Sequence, residues 1–281
     1  MPVFVSQVRM VNLSVSVSDR EGRPAQGLQA EDFEVLEDGA PQKASVAKPG
    51  ATPFSLVLLL DLSASTKKDR PSMLEAAKRF IQIAGPQDRV AIYIMAQDLL
   101  DVVSPLTADR ERLSRLIETM PPLGGSTPLY NVIALSLVQE SLHLSEERSA
   151  LVVLTDGGNN MAPWPDALVG SGITFDALKD AMAKSPVLLY PIVLRGSNIF
   201  SNANLTRMQQ LAQTTGGLAF PAESIRDLEP VYPLVAEELR SVYTVSYYPG
   251  NQDFDGRWRR IEVRVKRPDF KVRTRDGYYA R

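Results

Sequence analysis

Four continuous apolar runs constrain the fold of this chain more than any other feature. They are FSLVLLL at 54–60, RVAIYIMA at 89–96, SALVVL at 149–154 and PVLLYPIVL at 186–194. Strands read as unbroken apolar runs when helices cover both faces of their sheet, as in parallel sheets. Amphipathic helical stripes separate the runs; one consists of Met73, Ala77, Phe80 and Ile81. This alternation predicts a doubly wound α/β domain with a mostly parallel, Rossmann-like sheet.

Both ends of the chain carry a different pattern. In VNLSVSVS at 11–18 and RRIEVRVKR at 259–267, apolar residues alternate with polar ones. A period of two indicates strands with one buried face, and Asp38-Gly39 marks the tip of a hairpin. Because neither end is long enough to form a good hydrophobic core alone, we predict that both termini build one antiparallel β-sandwich. The α/β domain is then inserted between them.

These patterns predict two domains, a β-sandwich of residues 1–50 plus 242–281 and an α/β domain of residues 51–241. The segment PLYNVIALSLVQESL at 128–142 is apolar nearly all round, so we expect a deeply buried helix there. Basic residues crowd the C-terminal strands between 257 and 275. We interpret them as the solvated face of those strands.

The composition excludes several classes of function. The chain has 31 basic and 33 acidic residues, a net charge of -2 and no cysteine. The charge balance gives no reason to expect a nucleic-acid partner, and the lack of cysteine excludes disulfides and zinc–thiolate sites. No apolar run approaches the length of about 18 residues that a membrane span needs. Phosphate-binding motifs for a nucleotide or dinucleotide are also missing from the sequence.

Three polar clusters follow predicted strands or open a helix: DLSAS at 61–65, GGSTPLYN at 124–131 and LTDGGNN at 154–160. In an open α/β sheet, ligands bind beyond the carboxyl ends of the strands. The clusters offer oxygen donors at that edge, from Asp61, Ser63, Ser65, Thr127 and Asp156. Such donors suit Mg²⁺, Mn²⁺ or Ca²⁺. A second interpretation is that Asp61 and Ser63 cap the helix that follows.

The three clusters together resemble the metal ion-dependent adhesion site (MIDAS) of von Willebrand factor type A (VWA) domains. That site has Asp-x-Ser-x-Ser after a central strand, a Thr after a glycine turn, and Asp-Gly after the next strand. The resemblance covers residues 52 to 241. The flanking segments, such as VSVSDREGRPAQGLQAEDFEVLEDGAPQ, extend it to a bacterial group of VWFA-related proteins typical of Acidobacteria.

The resemblance implies a role for each matching residue. Hydroxyls of Ser63, Ser65 and Thr127 would bind the metal, whereas Asp61 and Asp156 would act largely through bound waters or, for one of them, directly. The open coordination position would accept an Asp or Glu carboxylate from a partner protein. Side chains that could shape the rim of the site are Ser126, Asn159, Asn160 and Trp164. We therefore expect a metal-dependent protein-interaction module with Mg²⁺, or Mn²⁺ or Ca²⁺.

Two other functions compete with this expectation. One is a hydrolase or phosphotransferase on a Rossmann-like sheet, with Asp61 as the nucleophile. Such phosphotransferases need a second Asp two residues after the nucleophile, and this chain has Ser63 there. A serine hydrolase needs a base near its nucleophile, and the single histidine, His143, is poorly placed to act as one. The other is a structural VWA domain without a ligand. The first fifteen residues lack the pattern of a signal peptide, yet the resemblance favours a secreted or periplasmic location.

Overall fold

The structure is a computed structural model that describes residues 10–47, 53–96, 99–121, 124–125, 128–141, 148–157, 172–194, 201–223 and 227–280. The helices are α1 Arg70–Ile83, α2 Arg110–Glu118, α3 Leu129–Ser141, α4 Phe175–Lys184, α5 Ser201–Thr215 and α6 Leu228–Ser241. The first seven strands are β1 Val11–Ser18, β2 Phe33–Glu37, β3 Ala40–Gln42, β4 Ala44–Ala47, β5 Phe54–Asp61, β6 Arg89–Ala96 and β7 Leu99–Thr107. The others are β8 Arg148–Thr155, β9 Leu188–Leu194, β10 Phe220–Ala222, β11 Tyr243–Tyr247, β12 Trp258–Val265, β13 Lys271–Arg273 and β14 Gly277–Tyr279.

The central sheet has the strand order β10-β9-β8-β5-β6-β7. Every pairing in it is parallel except that of β7 with β6. The four apolar runs form β5, β6, β8 and β9, so the prediction of a mostly parallel sheet is confirmed. The two edge strands β7 and β10 were not predicted from the sequence, because β7 is largely solvent-exposed and β10 has only three residues.

Helices cover both faces of this sheet, which explains why its strands read as unbroken apolar runs. Along β5, Leu56, Leu58 and Leu60 point to one side and pack with α1, α2 and α6. Val57 and Leu59 point to the other side and pack with α3, α4 and α5. Alternate residues of one strand thus enter two separate cores, as the strand period of two requires.

The chain termini form a β-sandwich of two four-stranded sheets, with the orders β13-β1-β11-β4 and β14-β12-β2-β3. Each sheet pairs a strand from the N-terminal segment antiparallel to one from the C-terminal segment, β1 with β11 and β2 with β12. The inward face of β1, including Leu13 and Val15, packs between the sheets with residues such as Val245 and Ile261. The predicted insertion of the α/β domain into a sandwich is therefore confirmed, while its limits at residues 50 and 242 stay a prediction.

Two expectations about burial are wrong. In α3, Leu135 and Val138 are 52% and 69% exposed, because the helix packs on the sheet with one side only. In β12, Arg259 is buried rather than solvated, because it shares the inward face of the strand with Ile261 and Val263. Its guanidinium lies 3.1 Å from a carboxylate oxygen of Glu37, which is also buried.

Helix α6 leads directly into the sandwich, since it ends at Ser241 and β11 begins at Tyr243. Glu238 on this helix accepts hydrogen bonds from Ser16 and Arg273 of the sandwich. Polar contacts of this kind hold the helix against β1 and β13. Within the described residues, no helix combines the length and apolar character that crossing a membrane requires.

Candidate metal centre

The central strand β5 ends on a buried carboxylate. Asp61 is its last residue and has no exposed surface. Strands β8 and β6 flank β5 on either side, in the registers Leu60↔Leu154 and Asp61↔Met95. The carboxyl ends of three parallel strands therefore meet around Asp61, at the edge where α/β sheets bind their ligands.

Both carboxylate oxygens of Asp61 accept hydrogen bonds. The backbone N–H of Ser63 donates to Oδ1 at 3.1 Å, and the hydroxyl of Thr155 donates to Oδ2 at 2.7 Å. Thr155 in turn accepts from the N–H of Gly157 at 3.0 Å. These contacts fix the orientation of the carboxylate and tie the end of β5 to the end of β8.

Burial raises the pKa of Asp61 to about 6, and the negative charge of Asp156 acts in the same direction. Hydrogen bonds from Ser63 and Thr155 oppose the increase, because they favour the charged form. Asp156 directly follows Thr155, whose hydroxyl bonds to Asp61, so both carboxylates belong to the same edge of the sheet. Asp156 itself is half-buried. Two neighbouring carboxylates at a strand end are an environment that a cation would stabilise.

The two serines of DLSAS bring their hydroxyls together. Ser63 Oγ and Ser65 Oγ are 3.1 Å apart; Ser63 is buried and Ser65 is exposed. Thr66 stabilises this loop, since its hydroxyl contacts the carbonyl oxygens of Asp61 at 2.7 Å and Ser63 at 3.2 Å. The loop therefore presents one buried and one solvent-facing hydroxyl beside the carboxylate of Asp61.

Asp61 and Ser63 do not cap the following helix. Helix α1 begins at Arg70, and its N-cap residue is Asp69. The side chains of Asp61 and Ser63 are instead engaged within the loop and with β8. The capping interpretation of DLSAS is thus wrong, and another role has to account for a buried carboxylate at this position.

The glycine turn that precedes Thr127 contacts the same loop. The N–H of Ala64 donates to the carbonyl oxygen of Gly125 at 3.0 Å. Gly125 has a φ of 103°, a left-handed conformation that favours glycine. The predicted ligand Thr127 and the predicted rim residues lie outside the described residues: Ser126, Asn159, Asn160 and Trp164.

The described donors fit a hard divalent cation. In an octahedral Mg²⁺ site with oxygens about 2.1 Å from the metal, neighbouring oxygens lie about 3 Å apart, close to the separation of the two serine hydroxyls. In the described part of the chain, no group of three or more His, Cys, Asp or Glu side chains could hold a metal. The described part of the chain offers the carboxylates of Asp61 and Asp156 and the hydroxyls of Ser63 and Ser65 as oxygen donors.

Sequence reasoning missed Thr155 and Thr66. Both are buried, and both bond to Asp61, Thr155 through the carboxylate and Thr66 through the backbone carbonyl. The sequence does contain a signal for Thr155. It is the first polar residue after the apolar run LVVL, and it directly precedes Asp156. Its partner is 94 positions away along the chain, so the pairing itself required the structure.

Comparison with known proteins supports the same fold. The model of the von Willebrand factor type A domain matches residues 56–159, which include the predicted ligands Asp61, Ser63, Ser65, Thr127 and Asp156. A von Willebrand factor type A protein from Catenulispora acidiphila aligns with a TM-score of 0.56 and 12% identity, over 99% of this chain and 65% of that chain. Comparison with curated protein sequences finds no match.

Two further solved structures share the fold. Proximal thread matrix protein 1 from the mussel byssus, with a zinc-occupied MIDAS motif, aligns with a TM-score of 0.53 and 16% identity, over 72% of this chain and 49% of that chain. The pilus adhesin SpaC from Lactobacillus rhamnosus GG aligns with a TM-score of 0.51 and 10% identity, over 95% of this chain and 47% of that chain.

This chain thus spans less than two thirds of each of the three solved chains. At these identities the likeness concerns the fold. The segment that matches the family model forms the central part of that fold and carries the loops around Asp61. Residues 56–159 therefore match the von Willebrand factor type A domain, and the central sheet with its helices has the fold of such domains.

Proposed function

We propose that this protein is a metal-dependent protein-interaction module. The observation that carries the proposal is the pair of serine hydroxyls 3.1 Å apart beside the buried, hydrogen-bonded carboxylate of Asp61. An isolated carboxylate without exposed surface is costly unless a cation or a proton compensates it. A divalent metal at the carboxyl end of β5 would supply that compensation.

In this proposal the hydroxyls of Ser63, Ser65 and Thr127 bind the metal. Asp61 and Asp156 bind water molecules that coordinate the metal, or one of the two carboxylates coordinates the metal directly. The contact between Ala64 and Gly125 supports the inclusion of Thr127, because it brings the glycine turn two residues before Thr127 against the DLSAS loop. Ser126, Asn159, Asn160 and Trp164 are proposed for the rim that contacts the partner.

The charge of the site favours an anionic partner. Neutral hydroxyls do not offset the positive charge of a metal ion, so an open coordination position would attract a carboxylate oxygen. Ser65, on the exposed side of the loop, marks the direction from which such a group can approach. We propose that an Asp or Glu side chain of a partner protein completes the coordination.

Two similar structures support the metal and the class of function. The mussel byssus protein carries zinc in its MIDAS motif, and SpaC is a pilus adhesin. We propose Mg²⁺, with Mn²⁺ or Ca²⁺ as alternatives, because the oxygen-only donor set is typical of these cations. The comparisons indicate no enzyme family, and we propose a binding role without catalysis at a secreted or periplasmic location.

Calorimetric titration of chelator-stripped protein with Mg²⁺ and Mn²⁺ tests the proposal. We expect saturable one-to-one binding that Ser63→Ala, Asp61→Asn and Thr127→Ala each weaken by tenfold or more. Asp253→Asn is the matched control, since it removes an exposed carboxylate in the sandwich, far from β5 in the sequence.

The metal centre would be refuted if folded wild-type protein bound neither metal. It would also be refuted if the three site variants bound metal as tightly as the wild type and the Asp253→Asn control. If the metal binds and a library of acidic peptides shows no metal-dependent binding, the metal centre stands and the carboxylate-partner part fails. The two parts of the proposal can therefore be separated.

A further inference from the structure

Two clefts meet at one tryptophan, away from the candidate metal centre. The larger has a volume of about 620 Å³ and lies between the end of α5 and strands β12 and β13. The smaller, of about 290 Å³, runs along α4. Trp258 and Asp276 line both clefts, whereas the described metal-site residues Asp61, Ser63 and Asp156 line neither.

Trp258 is held rigidly at the surface. It begins β12 and is 39% exposed. A Cβ atom at position 277 would lie 2.5 Å from Cζ2 of the indole and 2.3 Å from the carbonyl oxygen of Arg259. The ring therefore lies against the backbone of Gly277, and only glycine leaves room for it.

A second aromatic ring supports this arrangement. The ring of Tyr279 meets that of Trp258 edge-on at a centroid distance of 5.0 Å. The ammonium of Lys184 lies 4.9 Å from the centre of the Tyr279 ring. Within the described residues, neither aromatic belongs to the three hydrophobic cores. The pair is thus a preorganised aromatic surface, which loses little conformational entropy when a ligand stacks on it.

The charges around the aromatic pair are balanced. The two clefts together are lined by four basic and four acidic side chains, among them Arg260, Lys179 and Asp180. A nucleic acid needs a clear surplus of positive charge to bind, and this surface has none. The balance equally disfavours a strongly acidic peptide. A neutral ligand that stacks on an aromatic ring and forms many hydrogen bonds suits it better.

Sugar rings have that chemistry. Their C–H faces stack on aromatic side chains, while their neighbouring hydroxyl groups both donate and accept hydrogen bonds. The carboxylates and guanidinium groups that line the clefts offer two acceptor oxygens or several N–H donors in one plane. Trp258 lines both clefts, whose volumes of about 620 and 290 Å³ can accommodate more than one sugar unit.

We propose that Trp258 and the two adjoining clefts form a binding site for a neutral oligosaccharide. Trp258 provides the stacking surface, and Arg260 and Asp276, which line the larger cleft together with it, provide hydrogen bonds. This site uses none of the proposed metal ligands that the structure describes, so we expect it to operate independently of the metal centre.

The two tryptophans of the chain permit a direct optical test. In a Trp164→Phe background, Trp258 is the only indole fluorophore. We would titrate this protein with cellohexaose, chitohexaose, xylohexaose and mannohexaose, and repeat each titration by calorimetry on the wild-type chain. We expect saturable binding of at least one of them, with a change in Trp258 fluorescence that persists when a chelator removes divalent metals.

Two variants test the residues. Trp258→Ala should weaken binding by about tenfold or more in calorimetry, the loss typical of removing an aromatic stacking surface. Because Trp258→Ala could disturb β12, Arg260→Ala is the second variant, with a loss of about threefold or more. Tyr248→Ala and Arg257→Ala are matched controls that should bind as wild type does, since both residues are exposed and line neither cleft.

The proposal is overturned if none of the four oligosaccharides binds at millimolar concentration. It is also overturned if Arg260→Ala and a folded Trp258→Ala protein bind as tightly as wild type. Binding of an acidic hexapeptide or a single-stranded oligonucleotide to Trp258, without any sugar binding, would assign the clefts to another class of ligand. Each outcome leaves the metal centre unaffected, because binding is measured with and without chelator.

Discussion

Asp61 is a buried carboxylate whose ionisation lowers the stability of the fold. Its pKa of about 6 lies above the ordinary value of 3.8 because of burial. The folded state therefore favours the protonated form, and the stability from this effect is present below pH 3.8 and lost as the pH rises through 6. The difference corresponds to about 3 kcal/mol. At pH 7 the ionised side chain destabilises the metal-free fold.

The variant Asp61→Asn tests this assignment. We expect the metal-free variant to be at least as stable at pH 7 as the metal-free wild type, because the amide removes a buried charge. Added Mg²⁺ should raise the melting temperature of the wild type and leave that of the variant unchanged. Two results together would contradict this assignment. The metal-free wild type would be at least as stable at pH 7 as at pH 5, and Asp61→Asn would be much less stable than the wild type.

Arg259 is the second residue whose environment decides its role. Its guanidinium contacts Glu37 inside the sandwich, and the hydroxyls of Tyr247 and Tyr278 donate to the same carboxylate at 2.7 and 2.9 Å. The network is buried, so each charge depends on its partner for compensation. Removing one charge leaves the other without its ion-pair partner.

Replacing Arg259 by Met should lower the free energy of unfolding by about 3–5 kcal/mol. The double variant Arg259→Met with Glu37→Gln should recover a large part of that loss, since it removes both charges. Urea denaturation of the two variants measures the difference. Arg264→Met, on the exposed face of the same strand, is the control and should change stability by less than about 0.5 kcal/mol. Equal losses for Arg259→Met and Arg264→Met would refute the buried ion pair.

At the scale of elements, β5 and α3 differ although both are rich in leucine. Leu58 in β5 has no exposed surface and packs with α1, α2 and α6, whereas Leu135 in α3 is 52% exposed. The apolar run of β5 correctly indicates that both faces of the strand are buried. The similar composition of α3 does not indicate burial all round, because one side of a helix that packs on a sheet faces solvent.

Alanine substitutions of these two leucines should separate the two situations. Leu58→Ala is expected to cost about 2–5 kcal/mol, because it opens a cavity between the sheet and its helices. Leu135→Ala should change the free energy of unfolding by less than about 0.5 kcal/mol. Chemical denaturation measures both, and comparable losses would mean that another molecule or segment covers the outer side of α3.

At the scale of the whole molecule, buried tyrosines occur in both the α/β domain and the sandwich. Burial raises the pKa of Tyr190 and Tyr232 in the first and of Tyr243 and Tyr247 in the second. Burial, together with the hydrogen bond to Glu37, raises the pKa of Tyr278 to about 12. The folded state therefore keeps these phenols protonated at pH values where an unfolded chain ionises them.

The direction of the pH effect follows from these shifts. The stability contributed by the tyrosines is fully present below pH 10, the pKa of an unfolded tyrosine, and is lost as the pH rises through 12. We expect urea midpoints to be steady between pH 8 and 9.5 and to fall steeply above pH 10.5. The part of the tyrosinate absorbance that belongs to these five phenols should rise together with unfolding. Variants that replace Tyr247 or Tyr278 by Phe identify that part, and its appearance in folded protein at pH 10.5 would contradict their burial.

The larger features of this protein are local enough to be predicted from its residues. The four apolar runs specified a parallel sheet, because only strands covered on both faces lack polar positions. The alternating ends specified half-buried strands that need each other for a core. DLSAS, Thr127 and Asp156 supplied a set of oxygen donors in the order that von Willebrand factor type A domains use, since the type of a ligand atom is local information.

The surroundings of a given side chain, in contrast, become visible only in the folded chain. The alternation of β12 puts Arg259 in phase with Ile261 and Val263, but only the folded sandwich supplies the buried carboxylate of Glu37 that pairs with it. Thr155 orients Asp61 from a strand 94 positions away, and Trp258 lies on Gly277 through strand pairing at the far end of the chain. Burial, hydrogen bonding and cleft formation arise between elements that are distant along the chain, and local patterns carry no record of that pairing.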